Sequence, residues 1–529
     1  MLKKILQALH LRKILKKGQR KEQPVEQDQQ RLSRDLERNL ALFRAILGKN
    51  ADFVLREFCI GTHEKIRAAL FYFEGLVYRE FINEYVLMPL MYESQHFSIQ
   101  DLKRGNSISY LQEQFVSIGG TQKILRIEEA LNNCLYGQAI LLVDGFAEAL
   151  ALNTKGWANR GVEEPKTEAL VRGPREGFTE TLGLNISLLR RKIHHPDFVI
   201  EEMQIGEKTR TKVCIAYLNG VVNPEVVEEV RKRLGRIKTD AILESGYLEQ
   251  FIEDAPFSIF PTVANSERPD TVAAKMLEGR VSIITDGTPM VLSVPMLFAS
   301  SFQSPEDYYS RPYYASMIRW IRYLCFFITI SAPAVYVALT TFHQELIPTP
   351  LLMTMAAARE GTPFPALIEV LLMSVVFEIL REAGVRLPRP IGSAISIVGA
   401  LVIGQSAVSA GLIGAPMVIV VAITAIASFV IPAQTDAVTI LRFILIIAAG
   451  FMGAYGIFIV LLGLLIHLAS LRSFGVPYFA PFAPVNLPAL KDTMLRAPLW
   501  AQITRPKMLS KNRQRTKADL LPRPERKQP

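Results

Sequence analysis

Two glutamates, Glu369 and Glu378, stand in a run that is otherwise apolar over residues 366–380, and Arg381 follows the second by one helical turn. A carboxylate at bilayer depth costs on the order of 3 kcal/mol unless it is hydrated, paired or protonated, so it faces protein or water. The chemistry open to such residues is charge gating, ion passage or proton exchange. At about 100° per residue, their spacing sets them on opposite sides of one helix, so at most one can line a given pathway. Glu378 can instead pair with Arg381, or lie beside Glu382, one turn on. Gln405 and Ser406, with Ser409, form a second polar patch, and Gly392, Ser396, Ala400 and Gly404 form a small-residue stripe before it. Spacing by four puts the stripe on one helix face, where small side chains let helices approach closely in lipid. A pore-lining face is the sharper reading of the same residues.

In the charged half of the chain, Arg172, Pro174, Arg175 and Glu176 sit in a loop tightened by Gly173 and Gly177. The arginine pair suits a carboxylate or phosphate at an interlobe or subunit contact; a solvated loop followed by a basic helix is the plainer reading. Other motifs carry no chemistry. Gly206-Glu207-Lys208-Thr209 ends like a phosphate loop, but Glu201 stands where the first glycine is needed. His194-His195 has no partner at metal spacing, and Asn185-Ile186-Ser187 fits a glycosylation acceptor, which has no role in a cytoplasmic domain. Cys59, Cys134, Cys214 and Cys325 show no short spacing and predict neither disulfides nor zinc. No nucleophile with a matched base is present. The expectation is a protein that is not an enzyme, with no cofactor, metal or catalytic residue, and with ligand-binding residues that the sequence leaves open.

The elements that must position these residues divide near residue 317, where a charged region gives way to an apolar one. Residues 391–471 contain only two charged side chains, Asp436 and Arg442, and runs of about 18 or more apolar residues are what a bilayer-spanning helix requires. The expected fold is a two-lobed soluble α/β N-terminal domain followed by an all-α polytopic membrane domain. Its parts are a basic tail and linker (1–31), lobe 1 (32–165), lobe 2 (166–310), a helical membrane domain (311–480) and a basic C-terminal tail (481–529). The net charge of +10 is terminal: residues 1–21 hold eight basic residues and no acid, and residues 505–529 hold nine basic residues against two acids. Such ends suit anionic lipid headgroups and not nucleic acid. Leu2, Ile5, Leu6 and Leu9 share one helical face, which fits a membrane-surface helix or a frayed tail.

The soluble half reads as a duplication. In each half a short apolar run ends at Gly75 or Gly220, and a second run closes at Asp144-Gly145 or Asp286-Gly287, about seventy residues later. Asp-Gly between apolar runs is a hairpin signal, because both positions tolerate positive φ. A helix over 32–47 is expected to precede the first half. In the membrane half, five candidate spans are counted, near 318–339, 366–380, 391–412, 415–432 and 443–470. Two basic ends on the cytoplasmic side require an even number. Discarding 366–380 gives four but moves the arginines of 381–390 outside, so the count stays between four and six.

The words PTPLLMTMAAAREGTPFP onward through 348–412, GPREGF (173–178), ITDGTP (284–289), FQSPEDYY (302–309), SFGVPYFAPFAP (473–484) and RAPLW followed by RP (496–506) resemble the A subunits of spore germinant receptors, the GerA family. The resemblance runs in order from about residue 50 to 506. It implies a multi-pass protein of the spore inner membrane, with its N-terminal domain on the cytoplasmic, spore-core side. It also implies B (transporter-like) and C (lipoprotein) partner subunits, membrane lipid, and a homo-oligomer. The implied function couples germinant sensing to ion release, as a channel-forming or signal-transducing component. A secondary transporter and a membrane-anchored scaffold that modulates germination are the alternatives.

Overall fold

A computed structural model describes residues 31–60, 65–92, 120–156, 164–165, 170–386, 404–506, 508–512 and 514–515, with the single residues 108, 111 and 168. The chain forms two compact units. One comprises Met1–Ile252, Asn265–Val294 and Pro498–Pro529, the other Glu253–Ala264 and Pro295–Ala497.

In the first unit, Asp35 caps the helix Leu36–Leu47 by accepting the Glu37 N–H at 3.0 Å, and Leu36, Leu40, Phe43 and Leu47 bury its inner stripe. A sheet follows, built from β1 (Phe53–Ile60), β2 (Ile66–Phe73), β3 (Thr121–Ile124), β4 (Ala139–Val143) and β5 (Ala149–Leu152), in the order β1-β2-β4-β5-β3. Its central strands read as unbroken apolar runs because both faces are covered. Ala69, Phe71 and Phe73 pack beneath Leu40 and Phe43, while Ala68, Leu70 and Tyr72 pack with Ile82, Val86 and Leu90 on the other side.

The second lobe repeats this plan. It contains β6 (Phe198–Ile205), β7 (Thr211–Leu218), β8 (Ala264–Ser266), β9 (Val281–Thr285) and β10 (Val291–Val294), in the order β6-β7-β9-β10-β8. The correspondence extends to single bonds. Asp144 Oδ1 accepts the Leu36 N–H and Asp286 Oδ1 accepts the Leu182 N–H, each at 3.1 Å. Asn39 and Asn185 each bridge the backbone N–H and C=O of Ser33 and Thr179, six residues earlier. Both Asp-Gly hairpins form, with Gly145 and Gly287 at φ 90° and 87°. The duplication expected from the sequence is therefore present, strand for strand. Gly206-Glu207-Lys208-Thr209 is the turn between β6 and β7.

The C-terminal segment completes lobe 2. In lobe 1, the Gly156 N–H donates to Leu76 O at 3.1 Å, beside a bridge between Val77 and Lys155. In lobe 2 the chain departs after β10. The Lys511 N–H, from the far end of the sequence, donates to Val221 O at 3.1 Å beside a bridge between Val222 and Ser510, and Leu509 is fully buried. The tail set apart at residue 481 by the sequence thus divides: the chain up to Ala497 belongs to the helical unit and the segment from Pro498 to the first.

The helical unit contains Pro312–Thr341, Thr349–Arg359, Ala366–Arg386, Gly404–Ser409, Ala415–Ser428 and Thr435–Ser470, around a core that includes Phe326, Ile330, Val370, Met417, Leu441 and Leu445. Among the described residues two stretches, Pro312–Thr341 and Pro432–Ser470, are long and apolar enough to cross a membrane. The other expected spans differ for physical reasons. Ala415–Ser428 has 14 residues, which at about 1.5 Å each is shorter than a hydrocarbon core of roughly 30 Å. Ala366–Arg386 has the length, with 21 residues, but carries several charges. The candidate near 391–412 lies mostly outside the described residues. The last run is not one straight rod: Gly453, at φ 59° and ψ −141°, breaks the helix Thr435–Ser470.

Candidate functional site

Three polar clusters are built into these apolar scaffolds, one between the lobes and two in the helical unit. The first centres on Arg190, at the end of the helix Leu182–Arg190. Its Nη2 donates to Asp52 Oδ1 at 2.6 Å and to Asn50 Oδ1 at 3.0 Å, and its Nε bonds the second oxygen of Asp52. Arg190 is 1 % exposed and Asp52 7 %. The guanidinium lies 3.9 Å over the Phe73 ring and 5.2 Å from that of Phe198, one ring from each lobe. Asn50 Oδ1 also accepts the Ile200 N–H at 3.2 Å, and the Ala51 N–H donates to Ile200 O at 2.9 Å. Tyr136 stacks on His194 at the rim, with ring centroids 4.4 Å apart. A paired charge this deeply desolvated resists separation, because parting the lobes would strand both ions.

The loop expected at an interlobe or subunit contact is held, among the described residues, by partners in lobe 2. Arg172 and Arg175 are exposed, and Glu176 pairs with Arg191 at 3.0 Å and Lys192 at 2.9 Å within its own lobe. Pro174 O accepts from Arg268 Nη2 at 2.6 Å, and the buried Arg268 is held by Asp270 and by Glu168 O. Burial pushes the neighbouring Glu168 carboxyl above the usual range, opposed by its hydrogen bond from Ser266. The loop is thus pinned to lobe 2, and the guanidinium that reaches lobe 1 is Arg190. Asn185, which fits a glycosylation acceptor, is fully buried and spends its amide on Thr179.

In the helical unit, Glu378 bonds two guanidiniums, Arg381 at 2.5 Å on its own helix and the buried Arg442 of Thr435–Ser470. Arg381 reaches Thr439 Oγ1 at 3.2 Å, so the triad ties Ala366–Arg386 to Thr435–Ser470. Glu369 is on a different face, 1 % exposed, with Arg359 Nε 3.9 Å away and no hydrogen-bond partner for either oxygen. Gln405 and Ser406 are exposed, whereas Gly404 is buried, and a Cβ there would lie 3.3 Å from Val418 Cγ1. Gly392, Ser396 and Ala400 lie outside the described residues. The break at Gly453 is braced by the loop after the first long helix. A Cβ at Gly453 would lie 3.0 Å from Phe342, and the Ala454 N–H donates to His343 Nε2 at 3.3 Å.

The third cluster joins two of the sequence words that carried the resemblance. The fully buried Arg319 pairs with Asp307 at 2.8 Å and Asp492 at 3.2 Å, and Arg322 pairs with Asp307 at 2.9 Å. Tyr308 donates to Asp492 Oδ2 at 3.1 Å while its backbone oxygen accepts from Arg496 Nη2 at the same distance. Asp307 and Tyr308, with Asp492 and Arg496, thereby clamp the start of Pro312–Thr341. Sequence reasoning missed Asp52, Asn50, Asp307 and Arg442 as partners: Asp52, Asn50 and Arg442 lie 64 to 140 residues from the groups they meet, and Asp307 precedes the helix that carries Arg319 and Arg322. The available signal was burial of a charge in an apolar run, which Arg442 shows plainly.

Residues 41–508 match the family model described as Bacillus/Clostridium GerA spore germination protein. Spore germination protein KA of Bacillus subtilis (strain 168) is 48 % identical over 93 % of this chain and 89 % of its own length. Spore germination protein B1 of the same organism is 41 % identical over 89 % and 96 %, and spore germination protein GerLA of Bacillus cereus is 38 % identical over 88 % and 93 %. Among solved structures, the N-terminal domain of the A subunit of the Bacillus megaterium spore germinant receptor GerK3 is 38 % identical. It covers 51 % of this chain and 98 % of its own, with a TM-score of 0.41.

Proposed function

The chain belongs to the GerA family of spore germination proteins, and from that premise we propose that it is the A subunit of a nutrient germinant receptor, coupling germinant sensing to ion release across the spore inner membrane. It acts without chemical turnover, as an oligomeric transducing or channel-forming component beside a transporter-like B subunit and a lipoprotein C subunit. The observation that carries this reading is the triad of Glu378, Arg381 and Arg442. Two guanidiniums share one carboxylate between two helices whose neighbouring side chains are mostly apolar. Intramembrane charges of this kind are expensive to keep and mark ion or gating paths.

The return of the C-terminal segment supports the multi-pass reading and constrains it. The chain leaves the first unit after Val294 and re-enters it at Pro498, with Leu509 buried in lobe 2. A chain that leaves and rejoins one folded unit crosses a membrane an even number of times. That agrees with the cytoplasmic preference of both basic ends and favours four or six crossings over five.

The test is electrical recording from the full-length protein reconstituted with its B and C partners. Germinant-dependent conductance that is lost in Arg442→Gln supports the proposal. Saturable, ion-coupled solute uptake would instead make the chain a transporter, and silence with intact partner binding would make it a scaffold.

A further inference from the structure

Because the lobes are repeats, the junction between them sets one end of the repeated unit against the other end, and each end recurs, exposed, on the opposite lobe. The correspondences are fixed by backbone bonds. Arg44 and Arg190 are each the ninth residue of their lobe's first helix. Asp52 and Asp197 are equivalent, each accepting a backbone N–H through its own carbonyl, from Glu74 and Asn219, at 2.8 Å. Asn50 and His195 are equivalent through their carbonyls, which accept from Phe53 and Phe198 at 3.2 and 3.1 Å. Tyr136 and Glu278 follow the paired helices Ile127–Leu135 and Pro269–Leu277 as their C-caps, and Lys49 stands where His194 stands.

The two outer ends are complementary in charge. Lobe 1 presents Arg44 where lobe 2 presents Arg190 to the junction, while Lys49 lies within electrostatic reach of Glu201 in lobe 2 and belongs to the junction itself. Lobe 2 presents Asp197 where lobe 1 presents Asp52; Glu278, at the place of Tyr136, is turned inward beside Arg280, 3.6 Å away. Arg44 is 53 % exposed and Asp197 52 %, so both are available. We infer that the Arg44 end of the first lobe docks on the Asp197 end of the second lobe of another copy of this chain, head to tail, as Arg190 docks on Asp52 within one chain. Such a contact is heterologous, and it closes into a ring wherever the rotation between copies allows. Two differences make it weaker than the internal junction. Pro196 stands at the place of Ala51 and has no N–H to repeat the bond to Ile200 O, and the charges must first exchange their exposed partners, Glu57 for Arg44 and His195 for Asp197. The contact is therefore reversible and salt-sensitive.

This inference deepens the assembly part of the proposed function and rests on it. The test uses full-length protein in membranes, with Cys59→Ser and Cys325→Ser to remove the accessible thiols. Arg44→Cys chains and Asp197→Cys chains are co-expressed and treated with a short thiol cross-linker. The head-to-tail contact gives cross-linked pairs in the mixed sample, none in either variant alone, and loss of the pairs at high salt. Charge exchange is the second test, should Arg44→Cys fail to fold: Arg44→Glu lowers the oligomer on a native gel and Arg44→Glu with Asp197→Arg restores it. An oligomer seen by native gel without mixed-pair cross-links, or with Arg44→Cys cross-linking to itself equally well, overturns the inference and leaves the assembly reading standing. A native gel showing only monomer overturns both.

Discussion

Arg190 Nη2 lies 2.6 Å from Asp52 Oδ1, a bond that spans 138 residues of sequence and joins two lobes that fold by the same plan. The pair is buried, and its cost is repaid only while both partners are present. Each lobe thereby supplies the charge the other needs, and the two-lobed domain behaves as one body.

Asp52→Ala should lower the stability of the first unit by about 3–5 kcal/mol, because it leaves the Arg190 guanidinium buried without its counter-ion. The double change Asp52→Leu with Arg190→Met should cost less than either single change, since an apolar pair needs no desolvation. Urea unfolding of the wild type, Asp52→Ala, the two single changes and the double change checks the order; a double mutant less stable than Asp52→Ala would refute it.

Glu378→Gln and Glu369→Gln should behave differently. Glu378 neutralises Arg381 and Arg442 together, so its loss leaves two guanidiniums facing each other in an apolar bundle. That variant should show reduced folded protein in the membrane and altered conductance. Among the described residues Glu369 has one charged neighbour, Arg359 at 3.9 Å, and its amide variant should stay near wild type in folded amount. Quantitative immunoblotting of membranes together with single-channel recording separates the two; indistinguishable variants would remove the triad from the mechanism.

Gly453→Ala should destabilise the helical unit by about 1–3 kcal/mol, the usual strain of a side chain in a glycine-only backbone region. The new Cβ also lies 3.0 Å from Phe342. Adding Phe342→Ala removes the ring contact but leaves the Cβ contact and the strain, so thermal denaturation of the solubilised protein should show partial recovery. Full recovery would mean that the backbone angle at Gly453 carries no cost.

The acid limb of stability should report Glu201. Its hydrogen bonds from Arg231, at 2.8 and 2.6 Å, and then from Tyr217 hold the carboxyl below its ordinary value, against the opposing effect of burial. A depressed folded pKa means that the contribution is full above the unfolded value, near 4.3, and is lost as pH falls through the lower folded value. Glu201→Gln should therefore be less stable at pH 7 by roughly 1–2 kcal/mol and should lose less stability between pH 5 and pH 3. Denaturation midpoints across that range decide it, and parallel acid limbs would count against the ion pair.

The duplicated lobes were legible because local rules set them. Asp144-Gly145 and Asp286-Gly287 form turns in which the glycine takes positive φ, and a strand covered on both faces, such as β2 from Ala68 to Phe73, reads as an unbroken apolar run. The apolar second half was legible for the same reason, since its composition excludes water from most of its surface. Of the candidate site, Glu378 and its neighbour Arg381 could be paired from spacing alone, because residues three apart on a helix meet. Arg442 as the second partner, and Asp52 as the partner of Arg190, could not.

What the sequence by itself determined, then, is every feature that depends on neighbours within a turn or a hairpin: the lobes, their caps and turns, the apolar helices and the charges that cannot remain unpaired. What only the tertiary structure decided is which distant group satisfies each of those charges. It also decided that Leu509, at the far end of the chain, fills in lobe 2 the place that residues 154–156 fill in lobe 1. The reason is physical. A buried ion demands a partner but accepts any correctly placed one, and placement is set by packing between elements that the chain order does not make adjacent.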